Sequence, residues 1–178
     1  MSTAHSASRP AERVLDPTAA IVRPARDDDR EGIAAIGAEA FRGLRPIDRG
    51  RAWVTACWNA APRMRYWVVE DPSGLLGYIL WVEKGGFRDE AVVELEQIAV
   101  RAATRGRGIG ARLVIESLAE FEAALVARGS RLKLIEVTTG TEQGAVEFYR
   151  RTLGAEVVAA LPNLFRGEEK ILIARRGV

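Results

Sequence analysis

The stretch that most constrains this fold runs from Ala91 to Thr138. "Ala91-Val92-Val93-Glu94-Leu95-Glu96-Gln97-Ile98-Ala99-Val100" is rich in strand formers, and so is "Arg131-Leu132-Lys133-Leu134-Ile135-Glu136-Val137-Thr138". Between them stands the loop "Arg105-Gly106-Arg107-Gly108-Ile109-Gly110". After it, Val114, Leu118, Phe121 and Leu125 recur at helical spacing, and Gly129 supplies a C-terminal stop. Strand, helix and strand in this order predict one β-α-β crossover, with its two strands parallel.

The segments upstream predict antiparallel pairing. "Arg65-Tyr66-Trp67-Val68-Val69-Glu70" and "Leu75-Leu76-Gly77-Tyr78-Ile79-Leu80-Trp81-Val82-Glu83" flank the turn "Asp71-Pro72-Ser73-Gly74", which makes a hairpin. A short strand at Ala20–Ala25 opens the fold. A first helix follows, started by the carboxylates of Asp27–Asp29 and carrying Ile33, Ile36, Ala40 and Phe41. A second helix begins near Asp48 and carries Trp53, Val54, Cys57 and Trp58. A helix over residues 142–153 and strands at 155–158 and 170–174 close the chain. The order is β-α-α-β-β-β-α-β-α-β-β, an α/β (α+β) mixed sheet with an antiparallel front half. Residues 20–178 read as a single domain. Residues 1–19, rich in Ser, Ala, Thr and Pro, read as a disordered arm.

Composition excludes several chemistries. The 178 residues are 48% hydrophobic and 28% charged, an ordinary globular balance with material for a real core. A net charge of +2 argues against nucleic acid as a partner. The single cysteine, Cys57, fits a reducing cytoplasm, and the single histidine, His5, falls in the arm. A Cys–His pair, a Ser–His–Asp triad and a His/Cys metal site therefore lack raw material. No apolar run approaches the roughly 18–20 residues of a membrane span, and the N-terminus lacks the apolar core of a signal peptide.

The glycine loop is where function enters. The first amides of a helix have no partner within it, and glycines let an anion reach them. Arg105, Arg107 and Arg112 add positive charge, so the site suits a phosphate. A P-loop needs Gly-Lys-Ser/Thr, which is absent. A dinucleotide fingerprint is met literally by Gly106, Gly108 and Ala111, with Glu136 on the next strand as a ribose ligand. That fingerprint, however, belongs to the first strand of a parallel domain, and here three strands precede it.

A third pattern covers more of the chain. "Arg105-Gly106-Arg107-Gly108-Ile109-Gly110" follows Q/R-x-x-G-x-G/A directly after "Ile98-Ala99-Val100". "Ile21-Val22-Arg23-Pro24-Ala25-Arg26-Asp27-Asp28-Asp29", "Leu76-Gly77-Tyr78-Ile79" and "Ala145-Val146-Glu147-Phe148-Tyr149" with "Leu153-Gly154-Ala155" lie in matching order. Together they resemble the GNAT superfamily of N-acetyltransferases, from about Ile21 to Ile173. The chain departs from that pattern at Glu142, where an Asn is frequent, and at Ala155, where an aromatic is usual.

The resemblance implies acetyl-CoA as acyl donor, an amine acceptor (small molecule or peptide) and no metal. It places the CoA pyrophosphate on the amides of Arg105, Gly106, Arg107, Gly108, Ile109, Gly110 and Ala111. It places the pantetheine beside Ile98, Ala99 and Val100, where a strand bulge splays the sheet, with Phe148 nearby. A backbone amide near Ile98 would serve as oxyanion donor. Tyr149 would protonate the leaving thiolate. A base is needed because a lysine-like ammonium has a pKa of about 10.4. Glu94, Glu96 and Glu136 are candidates, the first two ranked ahead, and a water relay is an alternative. By strand alternation residues 94, 96 and 98 share a face. Trp53, Trp58, Tyr66, Trp67 and Trp81 are candidates to line the acceptor site with the loop at 84–90. A homodimer is left open, as are a non-catalytic acyl-CoA sensor on the same fold and, behind both, an NAD(P)-binding enzyme.

Overall fold

The computed structural model describes residues 20–140, 143–165 and 167–177; the proposed arm and Glu142 lie outside them. The elements are β1 (Ile21–Pro24), α1 (Arg30–Ala40), α2 (Ile47–Trp58), β2 (Met64–Asp71), β3 (Gly74–Lys84), β4 (Glu90–Val100), α3 (Ile109–Ala127), β5 (Arg131–Gly140), α4 (Gln143–Leu153), β6 (Glu156–Pro162) and β7 (Glu168–Arg175). They appear in the expected order. One seven-stranded sheet runs β1-β2-β3-β4-β5-β7-β6. Every neighbouring pair is antiparallel except β4 and β5, which α3 joins in parallel.

The sheet is covered on both faces. Trp81, Ile79, Val93, Phe121, Leu125 and Tyr149 belong to the core beneath α3 and α4. Tyr78, Leu80, Val82, Ile33, Ile36 and Val54 belong to the core beneath α1 and α2. Successive β3 residues from Leu75 to Val82 alternate between these cores, which explains why that run carries no charged residue. Fully burying a side chain such as Phe121 contributes about 1.5–3 kcal/mol. Deep in the α3 core Trp81 donates its indole N–H to Ser117 at 2.9 Å.

Helix ends follow their local chemistry. Gly129 takes φ +84° after α3, and Ser130 N–H bonds back to the Leu125 carbonyl at 2.9 Å. The opening aspartates do not all cap a helix. Asp27–Asp29 form a short 3-10 turn, and the Asp29 carboxylate accepts the Arg26 N–H at 2.6 Å. Arg23 is held between Asp29 and Glu70, with four bonds of 2.7–3.0 Å. That clamp ties β1 to β2 and to the start of α1. Among the described residues no helix is long and apolar enough to cross a membrane.

Candidate active site

The parallel pair β4–β5 is short. It runs from Glu90↔Arg131 to Glu94↔Glu136 and then stops. Beyond it β4 continues to Val100 paired only with β3, and β5 continues to Gly140 paired with β7. The two strands therefore part, and the edge of β4 over residues 95–100 is left without a neighbour on that side. The physical cause is a bulge. Leu80 pairs with Gln97 and Trp81 with Leu95, so Glu96 is one residue too many.

The bulge also overturns the expectation from alternation. Glu94 pairs with Val82 and shares the α1–α2 face, whereas Ile98 pairs with Ile79 and packs on the α3 core. Residues 94 and 98 therefore lie on opposite faces. Ala99 is buried on the α1–α2 side, and Val100 packs with Ile98 against the α3 core.

A cleft of about 710 Å³ occupies the opening. Leu95, Glu96, Gln97 and Ile98 form one wall, and Thr138, Thr139 and Gly140 another. The turn after α1 (Phe41, Arg42, Gly43) and Trp53 close it from one side, and Tyr149, Phe165 and Glu169 from the other. Glu96 stands in this cleft. Partial burial against the surrounding walls, together with the neighbouring Glu94 charge, pushes its carboxyl above the ordinary glutamate range, although the side chain stays open to solvent. Tyr149 also lines the cleft, and burial pushes its phenol up to about 12. It is thus protonated at neutral pH.

Glu94 and Glu136 stand at the vertex, as the last pair before the strands part. Lys84 reaches both, at 3.2 and 2.9 Å, and offsets part of the repulsion between the two carboxylates. Neither lines the cleft. Cys57 is buried, and burial pushes its thiol up, which suits a core residue and not a nucleophile.

The glycine loop sits at the far end of β4. After the turn Ala102–Thr104, Gly106 and Gly108 take φ +77° and +76°, the left-handed region that only glycine enters freely. A Cβ at either would meet nothing within 4 Å, so both open to space. Arg105 Nε donates to the Val100 carbonyl at 3.1 Å and holds the loop to the strand. The first bonded amide of α3 is Arg112, to Gly108 at 3.1 Å, which leaves the amides of Ile109, Gly110 and Ala111 ahead of it. No acidic side chain occupies the first turn of α3. The loop reaches the cleft through one aromatic. A Cβ at Gly110 would lie 3.6 Å from the Phe148 ring, and Phe148 meets Tyr149 edge to face at 5.1 Å.

Of the five aromatic candidates, only Trp53 lines the cleft. Trp58, Tyr66 and Trp67 line a separate cavity, and Trp81 is core. Nor does the loop after β3 wall the cleft; it borders a shallow groove with Lys133 and Leu134. The walls missed by sequence, Phe41, Arg42 and Phe165 from turns and Glu169 from the start of β7, depend for their place on how distant elements return to the sheet.

The sequence profile of the acetyltransferase (GNAT) family matches residues 31–155. No curated protein matches the chain. Among solved structures, aminoglycoside 6'-acetyltransferase type Ii is 20% identical with TM-score 0.67, covering 87% of this chain and 96% of its own. NAA60 of Arabidopsis thaliana in complex with acetyl-CoA is 14% identical with TM-score 0.67, covering 86% and 97%. Spermidine/spermine N-acetyltransferase SpeG of Vibrio cholerae is 18% identical with TM-score 0.66, covering 88% and 93%. At these identities the solved structures speak for the fold, and the profile, which spans well over half the chain, speaks for descent. The chain belongs to the GNAT family of acetyltransferases.

Proposed function

We propose that the protein is an acetyl-CoA-dependent N-acetyltransferase acting on a primary amine, by direct attack with both substrates bound. The observation that carries this is the opened β4 edge, with a left-handed glycine loop at one end and Glu96 and Tyr149 in the cleft beside it. The residues present fit the donor. The loop offers amides and arginines to a pyrophosphate, and the edge of β4 over residues 95–99, which β5 does not pair, suits an extended amide chain.

Acetyl-CoA supplies an acyl group activated as a thioester. The chain's own residues do the rest. The β4 backbone near Ile98 donates an N–H toward the acyl oxygen. Glu96, its carboxyl held above the ordinary glutamate range, takes a proton from the acceptor ammonium, directly or through water. Tyr149 donates its hydroxyl proton toward the departing sulfur, whose thiol has a pKa of about 8.5 if cysteine-like. Phe41, Trp53 and Phe165 surround the acceptor's apolar part. The acceptor is a small amine or a peptide amine, and the working compartment is the cytoplasm.

Two measurements test the reading. Saturating acetyl-CoA should raise the melting temperature while NAD should not. A panel of primary amines, assayed for free thiol released from acetyl-CoA, should contain turned-over substrates. Absence of any acetyl-CoA shift removes the donor assignment. Binding without turnover across the panel supports a sensor instead.

A further inference from the structure

A second cavity shares no lining residue with the cleft. Its volume of about 330 Å³ falls within the roughly 300–1,000 Å³ of small-molecule sites. It lies at the edge of β2, where β1 ends. β1 pairs with Trp67–Glu70, and its last tie is Ala25 N–H to the Tyr66 carbonyl at 2.9 Å. Met64 and Arg65 extend past that point. Trp58 and Tyr66, stacked at 6.2 Å, line the cavity with Trp67, Met64 and Ala124.

Two charged groups join this apolar lining. Glu120 is engaged, accepting the Trp67 indole N–H at 2.7 Å. Arg65 is not. Its guanidinium carbon lies 4.1 Å from the Phe121 ring centre and 5.9 Å from that of Trp67. Its Nε is buried with no hydrogen-bond partner among the described residues. The Glu83 carboxylate, whose charge bears on Arg65, is bonded twice by Arg128, at 2.6 and 2.9 Å. Burial accordingly depresses the Arg65 pKa, as it does for a cation held without a counterion.

A partly buried guanidinium whose Nε has no partner is stabilised when an anion joins it, and it matches a carboxylate with two parallel bonds. Aromatic walls favour a ring or a bulky apolar body. Glu120 disfavours a second negative charge. We propose that this cavity binds a small monocarboxylate with an aromatic or bulky apolar body, its carboxylate on Arg65 and its body against Trp58, Tyr66 and Trp67. The site stands apart from acyl transfer and does not depend on that reading.

Titration with 3-phenylpropanoate, followed by tryptophan fluorescence and melting temperature, tests it against the neutral isostere 3-phenylpropanamide. The acid saturates the signal and raises the melting temperature, and the amide binds at least about tenfold more weakly. Arg65→Met keeps an apolar stem beside Phe121 and loses the acid response. Ala124→Leu fills the cavity with Arg65 intact and loses the response too. Both variants keep the acetyl-CoA shift. The site is overturned if the acid gives no saturable signal, if the amide equals it, or if both variants still bind the acid.

Discussion

At position 96 the strand carries one residue too many, and the consequence is chemical. A bulged residue is released from the ladder, so its side chain can enter the cleft where a paired one would be fixed over a neighbour. Burial and the charge of Glu94 hold the Glu96 carboxyl above its ordinary range, with Lys84 and Arg63 opposing. If Glu96 is the base, acetylation rates rise with pH through a midpoint above that range. Glu94→Gln should lower the midpoint, and Lys84→Met should raise it. Stability moves the other way. A carboxyl whose folded pKa exceeds its unfolded one favours the fold while protonated, and loses that advantage as pH rises through the folded value. Glu96→Gln should therefore cut turnover by about 10²–10⁴-fold, with only a small rise in melting temperature near neutrality, because the exposed side chain keeps much of its hydration. The stability gain should fade below about pH 4, under the unfolded pKa. A neutral or lower melting temperature at neutral pH would show that Glu96 is not held at a cost. Tyr149 carries its own prediction. Since its phenol, at about 12, is protonated throughout the working range, Tyr149→Phe should slow turnover by at least about 10²-fold and leave the acetyl-CoA shift intact. Equal turnover in the variant would reassign the proton donor to water.

Among the elements, α3 matters most, because its two ends serve different purposes. At its start, Gly108 joins a left-handed backbone to the first free amides. Gly108→Glu should abolish the acetyl-CoA shift by placing a carboxylate against the phosphate site. Gly108→Ala is the control for strain. It meets no neighbour and costs about 1–2 kcal/mol for its φ alone, so it should melt lower yet still bind. Loss of binding in the alanine variant would assign the effect to backbone and not to charge. At the other end, Arg128 caps the fold by bonding Glu83, which is 1% exposed. Arg128→Met should destabilise by about 3 kcal/mol, read by denaturant unfolding, because a buried carboxylate is left unpaired. Elements of this kind were legible beforehand: the apolar period of α3, the unbroken apolar run of β3 and the turn chemistry of Asp71–Gly74 are local signals. The bulge was not. In "Glu94-Leu95-Glu96-Gln97-Ile98" the alternation breaks where Glu96 and Gln97 stand side by side, but two adjacent polar residues also suit a strand end or a loop, and only the fit against β3 fixes the extra residue at 96. The tryptophans misled for a similar reason. Trp53, Trp58, Trp67 and Trp81 are alike as residue types, and whether each meets a cleft, a cavity or a helix is decided by tertiary return.

For the whole molecule, the sheet is two blocks hinged along a short seam. β1 to β4 form one block, β5 to β7 the other, and they share direct pairing only over Glu90–Glu94 and Arg131–Glu136. α3 and α4 bridge them on one face, since Phe121, Leu125, Tyr149 and Leu153 belong to one core. The opposite side is open between the turn after α1 and the β6–β7 end, where Phe165 lines the cleft while 76% exposed. A ligand that replaces the missing strand pairing beside β4 would make the two blocks behave as one sheet. Backbone amides report this directly, because exchange depends on whether a peptide group is bonded and how often it opens. Hydrogen exchange with saturating acetyl-CoA should therefore slow at the glycine loop, at residues 95–100 of β4 and at residues 137–140 of β5 together. Residues 21–24 and 64–71, on the far edge, should change little. Protection confined to the loop would mean that the phosphate end binds without the acyl arm entering the opening, and the assignment of Glu96 and Tyr149 to the chemistry would fall with it. Protection at both walls of the opening, lost together in Gly108→Glu, ties the loop, the bulge and the cleft into one site.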